Sequence, residues 1–507
     1  MKKRGGKILF LLLIALLLTP GQLIAKGQRE KRVLNVSISG NPDTLDPQKT
    51  SGTLTFQVDK SIFDTLVEPD QNGKIVPALA KSWSVSPDSL TWTFKLRRGV
   101  IFHNGDKLTS ADVKATFERI LDKKTASPKA KEFAAIEKIL TPDDYTVIFK
   151  LKQKSAPFLA SLASGWGAIL PKRLIENGHD FASKPVGTGP YSLEEWVRDS
   201  KIVLKKNPNY WMKGHPIIQT VVINIIPERS VVIQGMLAGQ LDIAFRINRE
   251  DIPTLEKDSN IKIEKNLSAL ILVMAINCSR PPLNDLRVRQ AINYAIDKQK
   301  VLDIAYGGGK VIGTFMDYSN PYYKDFTNLY PYNPEKAREL LKEAGVTKDR
   351  VFQLVLPQNY APHVKAGEMY QEMLSKVGMN VKIKLVDWPT WISEVYRQSK
   401  FDLTVIGHTG KLDPDGTLGG YGGGRYVKWK NKECLDLINK ARVTMGFKAR
   451  KALYDRALEI MAKDVPFMYL GTPYVYNALK RDVIGFRVTP KLDTLDFRWT
   501  KFVGQAQ

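Results

Sequence analysis

The residues best placed to do chemistry lie in one glycine-rich run, GHTGKLDPDGTLGGYGGGRY, where His408, Asp413 and Asp415 stand close together. Each chemistry this run calls to mind is missing a part. Asp413, Asp415 and Gly416 begin like a calcium loop, but its twelfth position is Gly424 and not a glutamate. Glycoside hydrolysis needs two carboxylates on either side of the scissile bond, not two residues apart on one loop. The five histidines, at 103, 179, 215, 363 and 408, show no paired metal-ligand spacing. Gly187 and Gly189 lack the residues that complete a phosphate loop. Gly-x-Ser-x-Gly, His-Glu-x-x-His and Cys-x-x-Cys are all absent. The chain therefore reads as a binder with no cofactor and no metal, and a secreted hydrolase is the competing class.

At 507 residues the chain is too long for one core, and 43% hydrophobic with 25% charged residues is globular composition. The two cysteines, Cys278 and Cys434, are either one bridge or two free thiols. The formal charge is +24, yet Lys and Arg are scattered among 52 acids and no nucleic-acid module appears. Attraction to an anionic membrane surface is the simpler account of that charge, and no nucleic-acid partner is expected.

Lys2, Lys3, Arg4 and Lys7 precede an apolar run from Ile8 to Leu18, broken by Pro20-Gly21. That order is a secretory signal over residues 1–25, too short to span a bilayer comfortably. No cysteine follows the run, so no lipid anchor is expected. The mature chain reads as exported, soluble and periplasmic.

Several elements can be placed from pattern alone. VLNVSI at 33–38 is a strand, and SGNPDTLDP after it is a loop carrying Gly40 and Asn41. Leu90, Trp92, Phe94 and Leu96 alternate with polar residues as in a half-buried strand. Asn104-Gly105 marks a turn, Thr109 and Asp112 are spaced as a capping box, and Val113, Phe117, Ile120 and Leu121 share one helical face. Further on, Asn284 is a candidate N-cap, and Asn333 caps a helix with Pro334 first and Gly345 just past its end. Strands are expected at 351–356, 381–386 and 401–406, with helices between them at about 364–377 and 391–398. This alternation predicts a parallel or mixed sheet with helices on both faces.

The segment from Pro77 to Leu121 resembles the signature region of the family 5 solute-binding proteins, the extracytoplasmic receptors of peptide and nickel ABC transporters. The matching pieces are the PALA-SW opening, the alternating strand, the RRGV-F turn, the NG turn and the T-ADV helix start. PVGTGPYSLEEWVRDSKIVLKKNPNYW, PPLNDLRVRQAINYAID and FMYLGTPYVYNAL extend the resemblance over nearly the whole mature chain. It implies an α/β, two-lobed periplasmic-binding-protein fold of the large peptide-binding class, with an extra subdomain and a two-strand hinge. Lobe I would comprise residues 33–65, 185–270 and 480–507, the extra subdomain 66–184, and lobe II 271–479. The crossing strands would lie near 266–277 and 467–478.

The resemblance also implies a function: a monomeric receptor that closes on a peptide, most simply an oligopeptide, and delivers it to membrane permease subunits. Ligands collect at the C-terminal ends of strands in such sheets. The candidate ligand residues are Gly40, Asn41, Trp166, Asn359, His363, Trp388, His408, Asp413 and Asp415. Gly40 and Asn41 either border the cleft or simply make a turn. Trp166 and Trp388 are either pocket walls or core. Asp413 or Asp415 resembles the aspartate that meets a peptide's α-ammonium group in relatives, and either is otherwise a solvated turn acid. The loop PQNYAPH after the 351–356 strand has Asn359 and His363 but lacks the arginine with which dipeptide binders hold the ligand carboxylate. An oligosaccharide or a nickel chelate is thus the alternative cargo.

Overall fold

A computed structural model describes residues 33–489 and 494–505. The expected secretory signal at 1–25 lies outside the described residues. The fold is built on mixed sheet, with helices packed against it and one strand that threads both halves.

In the first half, Leu34–Ile38 runs parallel to Thr220–Ile225 and to Ile243–Ile247. Tyr191–Val197 and Lys201–Lys206 extend this sheet as an antiparallel edge. In the second half, Val351–Pro357 lies parallel between Asn380–Val386 and Leu403–Thr409. Leu270–Ile276 joins antiparallel to Leu403–Thr409. Its sequence, LILVMAI, is almost fully buried, as expected of a central strand covered on both faces.

The strand Phe467–Lys480 belongs to both halves. Its first residues, Phe467 to Gly471, pair with Leu272–Ala275, and Tyr474 to Lys480 pair with Ile261–Leu267. Between the two ladders the Ser268 amide donates to the Pro473 carbonyl at 3.0 Å. Two adjacent crossings, near 267–270 and 471–474, therefore carry the chain between lobes, as the two-strand hinge requires.

A separate four-stranded antiparallel sheet holds the signature region, in the order Ala80–Val85, Thr91–Leu96, Thr146–Leu151, Ile136–Asp143. Trp92, Phe94 and Leu96 point into its core, as their alternation predicts. The helix Ser110–Leu121 lays Val113, Phe117 and Ile120 on that sheet, with Phe117 edge-on to Phe149 at 5.2 Å. Its capping box forms: the Asp112 carboxylate accepts from the Thr109 amide at 2.8 Å and hydroxyl at 2.9 Å. In the NG turn only Gly105 takes a positive φ, 88°.

Gly187 and Gly189 serve close packing. A Cβ on Gly187 would stand 2.2 Å from the Ile62 carbonyl oxygen, and one on Gly189 2.4 Å from the Ile62 carbonyl carbon. Their backbone is held by His103, whose two ring nitrogens meet the Gly187 amide and the Gly189 carbonyl at 3.3 and 3.0 Å. Nearby, Asp64 gathers Thr188 Oγ1, Tyr210 OH and Trp211 Nε1. That network holds buried Tyr210 and half-buried Trp211 in place.

Two local expectations shift, and the open question of the cysteines closes. Asp285, not Asn284, caps the helix Leu286–Ala295, accepting from the Arg287 amide at 2.8 Å. Asn284 instead gives its amide to the Arg280 carbonyl, so it belongs to the preceding turn. The helix expected at 391–398 is a short turn, Trp388–Thr390, continuing into a π-helical stretch, Trp391–Arg397. Cys278 and Cys434 are both free thiols, raised to about 11 and about 12 chiefly by burial.

Candidate functional site

The strand ends of the second half converge on the glycine-rich run. Leu403–Thr409 is longer than expected and ends in His408 and Thr409. His408 Nε2 pairs with Tyr426 OH at 2.8 Å, and Phe315, Tyr421 and Phe467 surround its ring. Burial first, then the Arg425 charge, pushes this imidazole down to about 3, so it is neutral at any physiological pH.

Beyond His408 the run is ordered by a helical turn, Pro414–Leu418. Asp413 caps it, accepting from the Asp415 amide at 2.9 Å, and Pro414 occupies the first position. The Asp413 carboxylate is also held by both terminal nitrogens of buried Arg450, at 2.7 and 2.9 Å. Asp415 accepts from Arg442 Nε at 2.9 Å. The cation that each of these acids requires is thus supplied within the chain.

The run also reaches across to the four-stranded sheet's core. Leu412 and Met445 pack on the cluster that contains Trp166, and the Ala156 amide donates to the Arg442 carbonyl at 2.8 Å. Trp166 is buried, its Nε1 donating to the Thr50 carbonyl at 2.8 Å and its ring set edge-on to Phe56 at 4.8 Å. Two ammonium groups approach this indole. Lys411 Nζ comes from the run at 5.6 Å from the ring centroid, and Lys129 Nζ from the neighbouring segment at 4.7 Å. Burial lowers the Lys411 pKa, and repulsion from Lys129 lowers it further, with Glu132 opposing.

The remaining candidates divide by location. Asn359 is exposed in the loop after Val351–Pro357. His363, four residues on, is buried, bonds Tyr306 OH through Nδ1 at 2.9 Å and is pushed down to about 4 by burial. Trp388 stacks on Trp391 at 5.1 Å and meets Tyr360 edge-on at 5.2 Å, so one aromatic tier closes the ends of the 351–357 and 380–386 strands. In the first half, Asn41 is tied to the turn that holds Asp199: its Oδ1 accepts from the Asp199 amide at 3.0 Å and its Nδ2 donates to the Asp199 carboxylate. Gly40 packs near Leu54.

The structure brings His408, Asp413, Asp415 and Trp166 to one region through the run. Asn359, His363 and Trp388 form a second group at neighbouring strand ends. Lys411, Lys129, Arg442 and Arg450 were not singled out by sequence. The one available signal for Lys411 was its place beside the two acids. The arginines lie 27 and 37 residues from their aspartates, beyond any local pattern. Among the described residues no group of three or more metal-ligating side chains occurs, and no helix is long and apolar enough to cross a membrane.

Comparison with known proteins agrees with this architecture. The sequence description of "Bacterial extracellular solute-binding proteins, family 5 Middle" matches residues 74–428. Di/tripeptide-binding protein 1 of Pseudomonas aeruginosa is 32% identical, covering 89% of this chain and 91% of its own. The dipeptide-binding protein of Escherichia coli is 29% identical over 97% of both chains. A periplasmic binding protein of Helicobacter pylori, solved with the peptide STSA, superposes with a TM-score of 0.79 at 29% identity, covering 94% of this chain and 99% of its own. With mixed sheet on either side of a shared crossing strand and a loop that touches both halves, this chain belongs to the family 5 extracellular solute-binding proteins.

Proposed function

We propose that this protein is the periplasmic receptor of an ABC importer, taking a peptide between its lobes and presenting it to the membrane permease. The single observation that carries this reading is the 408–426 run: it starts at a strand end of one half and lies against Trp166 and Leu412's packing partners in the other. A solute held there touches both halves, and contacts made only in the closed state are what shift the equilibrium toward closure. The names of the relatives support a peptide of two or three residues as readily as a longer one.

The reading assigns residues 33–65, 185–270 and 480–507 to lobe I, 66–184 to its extra subdomain and 271–479 to lobe II. Trp166, Trp388, Asn359 and the run line the ligand space; His363, His408, Asp413 and Asp415 hold that lining in place through their partners. Asn41 and Gly40 shape the turn at the edge of lobe I.

Native mass spectrometry of the purified mature protein, repeated after denaturation, tests the proposal. Release of intact peptides supports a peptide receptor. Release of a saccharide or a metal chelate replaces the cargo and keeps the receptor role. Cleavage of added peptides by the protein would overturn the receptor role in favour of a hydrolase.

A further inference from the structure

The acids and bases of the cleft do not balance. Asp413 is bound bidentately by Arg450, and Asp415 is bound by Arg442, so neither offers its charge to a solute. Lys411, two residues earlier, makes no side-chain ion pair among the described residues; its ammonium stands 5.6 Å from the Trp166 ring centroid, with Lys129 and Glu132 acting on it through space. Lys129 approaches the same indole at 4.7 Å, and its ion-pair partner is Glu132 at 3.1 Å. The two ammonium groups and one carboxylate leave a net positive charge around a buried indole. Asp317, packed where a Cβ on Gly410 would reach it at 2.4 Å, accepts from Ser319 Oγ at 2.6 Å.

Lys411 is also held in place. Its amide donates to Thr417 Oγ1 and its carbonyl accepts from Asn320 Nδ2, both at 3.3 Å. Its stem fills the space beside Gly416, where a Cβ would stand 3.0 Å from the Lys411 Cγ. A ring face attracts an ammonium group but does not neutralise it. A half-buried lysine without a counter-ion is costly, and a charge-assisted hydrogen bond from a carboxylate removes that cost.

We propose that the solute carries a carboxylate which lies between Lys411 and Lys129 against the Trp166 indole, making this an acid-selecting subsite of the cleft. The subsite rests on the receptor reading above and gives it a substrate class: an acidic peptide, or a peptide whose terminal carboxylate reaches this point. Because one lysine comes from each side of the cleft, a carboxylate between them is bound in the closed state and favours it over the open one.

The test is calorimetric titration of the purified mature protein with Ala-Glu-Ala, Ala-Gln-Ala and the C-terminal amide of each, together with glutarate and its diamide. The wild type is expected to bind a carboxylate-bearing probe about tenfold more tightly than its amide counterpart, the worth of one charge-assisted contact. Lys411→Met should erase that preference, and Lys129→Met should reduce it. Equal affinities for acid and amide in the wild type, or a preference that survives Lys411→Met and Lys129→Met, overturn the subsite. If no tripeptide binds, the peptide reading falls and glutarate against its diamide decides the subsite: acid preference lost in Lys411→Met upholds it, and no binding of glutarate overturns it. Should Lys411→Met misfold by circular dichroism, Lys129→Met and Lys411→Gln give the same comparison.

Discussion

Arg450 grips Asp413 with both terminal nitrogens, and its third nitrogen, Nε, donates to the Ala441 carbonyl at 3.0 Å. Tyr322 and Tyr454 hydroxyls lie within hydrogen-bond distance of the same guanidinium. The glycine-rich run is therefore anchored to the helix Phe447–Asp464 by a buried ion pair, and the cleft loop is held from behind.

Breaking that pair from one side leaves a partly buried charge alone. Arg450→Met is expected to lower the unfolding free energy by about 3 kcal/mol, the cost of an uncompensated buried partner. The double variant Arg450→Met with Asp413→Asn should recover part of that loss. Urea denaturation of the wild type, Arg450→Met, Asp413→Asn and the double variant measures both, and an Arg450→Met variant as stable as the wild type would refute the account.

Burial keeps His363 neutral, with a pKa of about 4 against an ordinary 6.5. A base whose folded pKa is depressed contributes stability that is intact above pH 6.5 and is lost as pH falls from there through about 4. His363→Gln should be less sensitive to acid across that window, by ~3 kcal/mol at its lower end. Denaturant midpoints at pH 7, 5.5 and 4 read the difference; parallel slopes for the two proteins would dismiss it.

Asp59 works in the opposite sense. It sits on the helix Thr53–Ile62, buried, with neither carboxylate oxygen hydrogen-bonded among the described residues. Burial, then repulsion from Asp46 and Asp43, raises its pKa well above the ordinary value. A raised acid contributes stability that is complete below pH 3.8 and is lost as pH rises through the folded value. Asp59→Asn is accordingly expected to increase the melting temperature at pH 7 and to have little effect near pH 4. A variant that melts lower than the wild type at pH 7 would show that the carboxylate has a partner.

Much of the fold was legible because its signals are local. The capping box at Thr109 and Asp112, the Asn333–Pro334 helix start and the alternation of Trp92, Phe94 and Leu96 each fit within a few residues, and tertiary packing had no reason to oppose them. Adjacent Asn284 and Asp285 are equally good caps, and only the path of the preceding turn decides between them. The candidate site was legible as a stretch of chain rather than as a set of contacts. The glycine-rich run was expected at a strand end, where it lies, yet whether Asp413 faces a ligand or an arginine depends on residue 450. No periodicity records that pairing, nor the approach of Lys411 to a tryptophan 245 positions earlier.

The glycines at 187 and 189 offer a stricter test of the packing. Gly187→Ala and Gly189→Ala each drive a methyl into the Ile62 carbonyl group and should cost about 2–3 kcal/mol. Gly178→Ala, where φ is 66° and the space beyond is open, should cost only about 1 kcal/mol. Chemical denaturation of the three variants would rank them; equal losses would mean that backbone conformation, and not the contact with Ile62, governs the first two.

The strand Phe467–Lys480 also governs when the molecule can fold. Both ladders that it completes lie far upstream, at Ile261–Leu267 and Leu272–Ala275, so neither half of the sheet is closed until residues 467–480 are in place. Non-local pairing of this kind is slow to form. The last long strand of the chain is the one that fastens both halves, and the molecule becomes rigid only when that strand has docked.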